Sequence, residues 1–237
     1  HGISAPVRFV SHHLAHAAAG FYTSSFREAT VVCIDSIGEF QALTIWNADN
    51  NGLKRIYSQS YPHSLGLWYS ALTQRIGLKP QEDEYILMGM AAYGDPLRLF
   101  NDVLHDFFHP VDDESFKQIF FNTPTVKLKH NLHRGCTWWR PDLTSEQDMF
   151  DIAAATQAVY AYLLKYISNW ARWKSPSGNL VLMGGCALNC SANGSIKSDW
   201  KNMYIMPNPG DAGSAVGAVL AHKKLHMPMP HVNLGYD

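Results

Sequence analysis

The sequence predicts an α/β protein with the element order of one lobe of an actin-like, ribonuclease-H-like (ASKHA) ATPase: a mixed sheet with helices on both faces. Three observations predict it. Extended segments follow one another early in the chain with only turn residues between them, as in an antiparallel meander. Helical periodicity then alternates with short apolar strands, as in parallel strands joined by crossover helices. A chain of 237 residues, 46% hydrophobic, is long enough to bury a substantial core.

Residues 7–10 are short, apolar and alternating, and are expected to form a strand. The alanine-rich segment 14–24 follows as a helix. Residues 30–35 (TVVCID) read as a buried strand ending on the carboxylate of Asp35. Asp35-Ser36-Ile37-Gly38-Glu39 reads as a tight turn. Residues 42–46 and 53–60 alternate as two further strands, with Asn47-Ala48-Asp49-Asn50-Asn51-Gly52 as the hairpin turn between them. Residues 64–76 form an amphipathic helix on Leu65, Leu67, Trp68, Leu72 and Ile76. A Met-rich helix over 85–93 and a third over 96–107 come next. Residues 108–145 lack periodicity and are expected to be a loop-rich insertion, in which Trp138 and Trp139 pack locally.

A long helix over 146–173 carries Ile152, Ala155, Val159, Leu163 and Ile167 in register, and Pro176-Ser177-Gly178 breaks it. The remainder reads as a strand at 180–183, Gly184-Gly185, a helix at 188–198, a strand at 203–206, the turn Pro207-Asn208-Pro209-Gly210 and a helix at 211–224. The whole of 1–237 reads as one domain.

Composition excludes several classes. The formal net charge of −1 gives no reason for a nucleic-acid or anionic-membrane partner. No apolar run reaches the length of a membrane span, and no secretory signal is visible. The four cysteines, Cys33, Cys136, Cys186 and Cys190, form no CxxC pair and read as free packing thiols in a reducing cytoplasm.

Chemistry is concentrated in Ser11-His12-His13-Leu14-Ala15-His16. On a helix, His12 and His16 share a face one turn apart, as two imidazoles ligating one metal ion do. Asp35, at the end of a buried strand, and Asp211, at a helix start, are the candidate further ligands; for Asp211 an N-cap role stands as the alternative. Such a set suits Fe2+, Mn2+ or Zn2+. Metalloprotease chemistry is excluded, because His13 stands where the general-base Glu of HExxH would be. Gly184-Gly185 and Gly210-Asp211-Ala212-Gly213 are two glycine-flanked helix starts after strands, where freed backbone amides bind phosphate or ribose oxygens. Together they predict a nucleotide cleft. The turn carrying Glu39 would touch phosphate or metal.

These segments resemble the NodU/CmcH family of O-carbamoyltransferases. His12-His13-Leu14-Ala15-His16-Ala17-Ala18 resembles its HHxxHAA motif, Asp35 to Glu39 its DGxGE turn, and Ser64 to Ser70 its SLGxxYS helix. Met88 to Gly94 resembles MGLAxYG, Gly184 to Asn189 resembles GGxALN, and Pro209 to Gly213 its PxxGDxG segment. The domain is also similar to the universal tRNA threonylcarbamoyl-adenosine proteins. The resemblance implies that His12, His16, Asp35 and Asp211 hold a divalent metal, iron first. It places Gly184, Gly185 and Asn189, with Gly210 and Gly213, on the side of ATP. His13 becomes a support for the ligands or a substrate contact, and His13 and Glu39 are the catalytic candidates.

The implied reaction has two steps: carbamoyl phosphate and ATP give carbamoyl adenylate, and the carbamoyl group passes to a small-molecule hydroxyl. Ser36 replaces a glycine of the family pattern, and Ile86 stands where a lysine is usual. The resemblance also implies that this is a central piece of a longer enzyme. Family members begin with a glycine-containing strand pair and carry a C-terminal YrdC-like domain, neither of which this sequence contains. A second copy of the chain, as a homodimer, is left open as a partner. The competing readings are a non-catalytic ASKHA-like nucleotide-binding or scaffolding module, and a tRNA threonylcarbamoyl transferase; the lack of a basic stripe argues against the latter.

Overall fold

The computed structural model describes residues 6–108 and 132–229. Its centre is a five-stranded sheet in the order β3-β2-β1-β4-β5. The strands are β1 (Ala29–Gly38), β2 (Gln41–Asp49), β3 (Gly52–Ser60), β4 (Asn179–Met183) and β5 (Asn202–Ile205). β1, β2 and β3 form the expected antiparallel meander, while β4 pairs parallel to β1 and β5 parallel to β4. The hairpin between β2 and β3 is tighter than expected, closing Asp49 on Gly52.

Side-chain alternation divides the core between the two faces of the sheet. Val31 and Cys33 of β1, with Val181 and Met183 of β4, face α1 (His12–Thr23) and α7 (Asp211–Lys223). Val32, Ile34, Leu180 and Leu182 face α2 (Leu65–Arg75), α4 (Pro96–Phe107) and α5 (Glu146–Lys174). α1 and α7 approach closely through small residues: a Cβ on Gly217 would lie 1.8 Å from the Ala15 carbonyl oxygen. α5 opens on a capping box between Ser145 and Asp148, and the predicted register residues Ile152, Ala155, Val159, Leu163 and Ile167 are all buried.

Several expectations are corrected. Residues 7–10 are not a strand: Val7 and Phe9 are 76% and 95% exposed, and both edges of β1 are already taken by β2 and β4. Asp35 does not end β1; the strand runs on to Gly38 through an irregularity between Ile34 and Gly38, so the turn is only Glu39-Phe40. The helix expected at 188–198 is shorter: α6 spans Cys190–Ile196 with Asn189 as its N-cap, after a 3-10 turn over Gly185–Leu188 and before another over Lys197–Asp199. The Met-rich helix is α3 (Glu84–Met90), continued as a 3-10 turn over Ala91–Tyr93. All four cysteines are free, but Cys190 is exposed rather than packed. Of the expected insertion, 109–131 lies outside the described residues. Trp139 within the rest is buried against Phe107.

Candidate metal centre and glycine loop

The two faces of the sheet meet at the C-terminal end of β1, and four predicted ligands converge there. His12 and His16 lie one turn apart at the start of α1, with their Nε2 atoms 3.0 Å from each other. Asp35 fixes one carboxylate oxygen, Oδ1, on the backbone N–H of Ser36 at 2.8 Å. Its other oxygen, Oδ2, lies 2.9 Å from His12 Nε2 and 3.2 Å from His16 Nε2. Asp211 arrives from α7, with Oδ1 3.3 Å from His12 Nε2 and 3.2 Å from His16 Nε2. Asp211 is the first residue of α7 rather than its N-cap, which is Gly210.

The donor set fits a divalent cation. The four ligand atoms lie within 4.8 Å of one another. Neighbouring ligands at about 2.1 Å from one ion stand about 3 Å apart, which is the spacing seen here. Two imidazole nitrogens facing each other cannot both carry hydrogens, so an electron-poor centre between them resolves the contact. The local charges agree. The hydrogen bond that His12 donates to Asp35 holds its imidazole above its ordinary pKa, against the effect of burial. Burial works against ionisation of Asp35, but its bonds to His12, His16 and the Ser36 N–H win and hold the carboxyl well below the usual carboxylate range.

Neighbouring motif residues build this geometry. A Cβ on Gly38 would lie 2.1 Å from Cδ2 of the His12 ring, so the ring occupies the space a side chain would need. A Cβ on Gly66 would lie 2.7 Å from the Ser36 nitrogen, so α2 rests directly on the backbone after Asp35. Ser64 caps α2 by accepting from Leu67 N–H at 3.1 Å, while its hydroxyl faces the carbonyl oxygens of Asp35 and Ser36. The sequence showed Ser64 and Gly66 as motif letters; their work on Asp35 needed the tertiary contact to be seen.

His13 turns the other way. It is fully buried, with Nδ1 2.9 Å from Thr44 Oγ1 and Nε2 3.1 Å from the Gln41 carbonyl oxygen. Burial lowers its pKa to about 4, so it is neutral near pH 7. With both ring nitrogens engaged, His13 ties α1 to β2. Glu39 stands exposed at the hairpin apex with φ 58°, and its charge reaches His12.

The glycine loop borders the same point. Gly184 has φ 89°, and a Cβ there would lie 2.2 Å from the Ile34 carbonyl oxygen. Its N–H donates to the Pro209 carbonyl at 2.9 Å, joining the two glycine-flanked junctions. Gly185 faces the Asp35 carboxylate, 3.3 Å from where its Cβ would be. Gly213 packs on the Asn208 carbonyl, while Gly210 faces open space. Asn189 caps α6 and pairs with Gln157 of α5.

Among the described residues no helix is long and apolar enough to cross a membrane. The family model described as "Carbamoyltransferase N-terminus" matches residues 3–220. An uncharacterized protein of Synechocystis is 36% identical over 224 residues, covering 91% of this chain and 36% of that protein. Nodulation protein NolNO of Sinorhizobium fredii is 28% identical over 216 residues, covering 90% of this chain and 31% of its own length. The 3'-hydroxymethylcephem-O-carbamoyltransferase of Streptomyces clavuligerus is 26% identical over 166 residues, covering 66% of this chain and 28% of the enzyme. The chain therefore spans about a third of the length of these relatives. Among solved structures, full-length HypF in a phosphate- and nucleotide-bound form has a similar fold, with a TM-score of 0.54 at 13% identity over 94% of this chain and 36% of that one. On the match over residues 3–220, this chain belongs to the carbamoyltransferase N-terminus family.

Proposed function

We propose that this chain is the metal- and nucleotide-binding part of an O-carbamoyltransferase of the ASKHA class, moving a carbamoyl group from carbamoyl adenylate to a small-molecule hydroxyl. The observation that carries the reading is the convergence of His12, His16, Asp35 and Asp211 beside the Gly184-Gly185 loop. Membership of the carbamoyltransferase family supports the carbamoyl group, and the O-carbamoyltransferase activity in the name of the Streptomyces relative supports an oxygen acceptor. The sheet order, three antiparallel strands followed by two parallel ones, supports the ASKHA assignment.

In this reading His12, His16, Asp35 and Asp211 hold the ion, Fe2+ first among the candidates. A divalent ion supplies Lewis acidity toward a carbonyl or phosphate oxygen. The loop amides after Gly184 and the Gly210–Gly213 turn hold the phosphate and nucleoside of ATP. Glu39, exposed beside the cluster, takes the proton from the hydroxyl as its oxygen bonds to the carbamoyl carbon and AMP leaves with the acyl–phosphate bond broken, and His13 keeps α1 seated on β2 so that both ligating histidines aim at one point. A YrdC-like partner domain supplies carbamoyl adenylate made from carbamoyl phosphate and ATP. The four free cysteines accord with a cytoplasmic setting.

Metal analysis and calorimetry test the reading together. The protein is expected to bind about one divalent ion per chain, to lose it on His16→Ala, and to give heat with ATP when metal-loaded. Full metal retention by the variant sinks the ligand assignment. A folded, metal-loaded sample that binds neither ATP nor carbamoyl phosphate would instead be a scaffolding module.

A further inference from the structure

Gln157 is buried in the middle of α5, a glutamine among the apolar residues that line that helix. It meets two side chains from different elements. Tyr69 of α2 donates its hydroxyl to Gln157 Oε1 at 2.7 Å. Asn189, at the end of the glycine loop, exchanges two hydrogen bonds with it: Gln157 Nε2 donates to Asn189 Oδ1 at 2.9 Å, and Asn189 Nδ2 donates to Gln157 Oε1 at 3.0 Å.

The polarity of this network has one solution. The backbone N–H of Ala192 only donates, so the Asn189 atom that meets it at 3.1 Å is Oδ1. That turns Nδ2 toward Gln157, whose facing atom must accept and is therefore Oε1. Nε2 of Gln157 then donates back to Asn189, and the Tyr69 hydroxyl is obliged to donate. Asn189 Oδ1 already accepts from both Gln157 and Ala192, so it has no lone pair to spare for a ligand. What the network delivers outward is the backbone of the loop. The same loop is held by the Tyr160 hydroxyl on the Cys186 carbonyl at 3.2 Å and by Asn193 Nδ2 on the Ala187 carbonyl at 2.7 Å. At its other end Gly185 lies against Asp35.

We infer that Gln157 is a positioning residue for nucleotide binding: with Tyr69 it locks Asn189, and through Asn189 it holds the Gly185–Leu188 backbone in its place beside the candidate metal centre. This rests on the reading that the loop takes ATP. It gives Asn189 a loop-anchoring role and brings in two residues, Gln157 and Tyr69, that lie outside the glycine motif.

Gln157→Glu is the test, because it changes polarity and not shape. An ionised carboxylate sets an acceptor against Asn189 Oδ1, whereas the protonated acid restores one donor and one acceptor. Burial raises the pKa of such a carboxyl. Its titratable neighbours Tyr69, Tyr160 and Cys186 all have pKa values pushed up by burial, and Glu84 of α3 is bonded to the Ser70 hydroxyl and Gln81 N–H. Calorimetry with ATP on the metal-loaded protein is expected to show affinity about tenfold or more below wild type at pH 8, with the gap closing near pH 5.5 at unchanged metal content. Gln157→Leu is expected to lose affinity at both pH values, and Tyr69→Phe, the milder variant if the others fold poorly, by about threefold.

Wild-type affinity in Gln157→Glu at pH 8, or a loss that acid does not reverse, overturns the inference. Failure of the wild type itself to bind ATP overturns the nucleotide reading, and this inference with it.

Discussion

At the scale of single residues, the site depends on absences as much as on ligands. Gly38 carries no donor to the candidate metal centre, yet the His12 ring fills the space where its side chain would stand. The backbone there is not in the left-handed region, so alanine adds no conformational strain, and its effect falls on the ring alone. Gly38→Ala is therefore expected to displace His12 and lower metal affinity about tenfold or more while the melting temperature of the metal-free protein stays near that of wild type. Titration with a divalent ion followed by calorimetry checks this; undiminished affinity would mean that His12 is not a ligand. The sequence made His12 and His16 legible because a helix imposes their spacing. It could not show that Gly38 and Gly66 shape the space around His12 and Asp35, because those contacts join residues that the chain separates.

Among the elements, the antiparallel meander and the long helix were legible because their periodicities are local. Asp35 was harder: an aspartate after four apolar residues reads as a strand end, but pairing with β2 resumes at Gly38 on Gln41, beyond the irregularity, so the strand runs through it. The reverse held for residues 7–10, whose alternation has no open edge of β1 to join. The packing of α4 on α5 is electrostatic in a way that periodicity does not reveal. Arg98 bridges Asp148 at 2.7 Å and Asp151 at 2.5 Å. Burial opposes ionisation of Asp151, but Arg98, the Asp95 N–H and the Gln147 amide leave its pKa lowered. A carboxyl with a depressed folded pKa contributes stability above its unfolded value, about 3.9, and that contribution is lost as pH falls through the folded value. Arg98→Met is thus expected to be less stable than wild type at pH 7, with the gap in unfolding free energy narrowing below about pH 4. Urea unfolding at the two pH values measures it. A gap that does not change with pH would remove the ion pair from the account.

For the whole molecule, the candidate metal centre joins the start of α1, the C-terminal half of β1 and the start of α7 at one point, linking residues 12 and 211 across most of the sequence. α1 and α7 lie on one face of the sheet, and their closest approach is made by Gly217 against Ala15, just beyond the ligands. An ion held there binds the folded chain and not the unfolded one, in which the four donors are scattered. It therefore stabilises by mass action, by about 2.7 kcal/mol at a free concentration one hundred times the dissociation constant. Chelation is expected to lower the melting temperature by several degrees, with re-addition of Fe2+, Mn2+ or Zn2+ restoring it in proportion to affinity. His16→Ala removes a fully buried candidate ligand, and its melting temperature should become indifferent to both chelator and metal. If the variant and the wild type respond alike, the ion that stabilises the chain is bound elsewhere, and the convergence of His12, His16, Asp35 and Asp211 serves only to knit the two helices to the sheet.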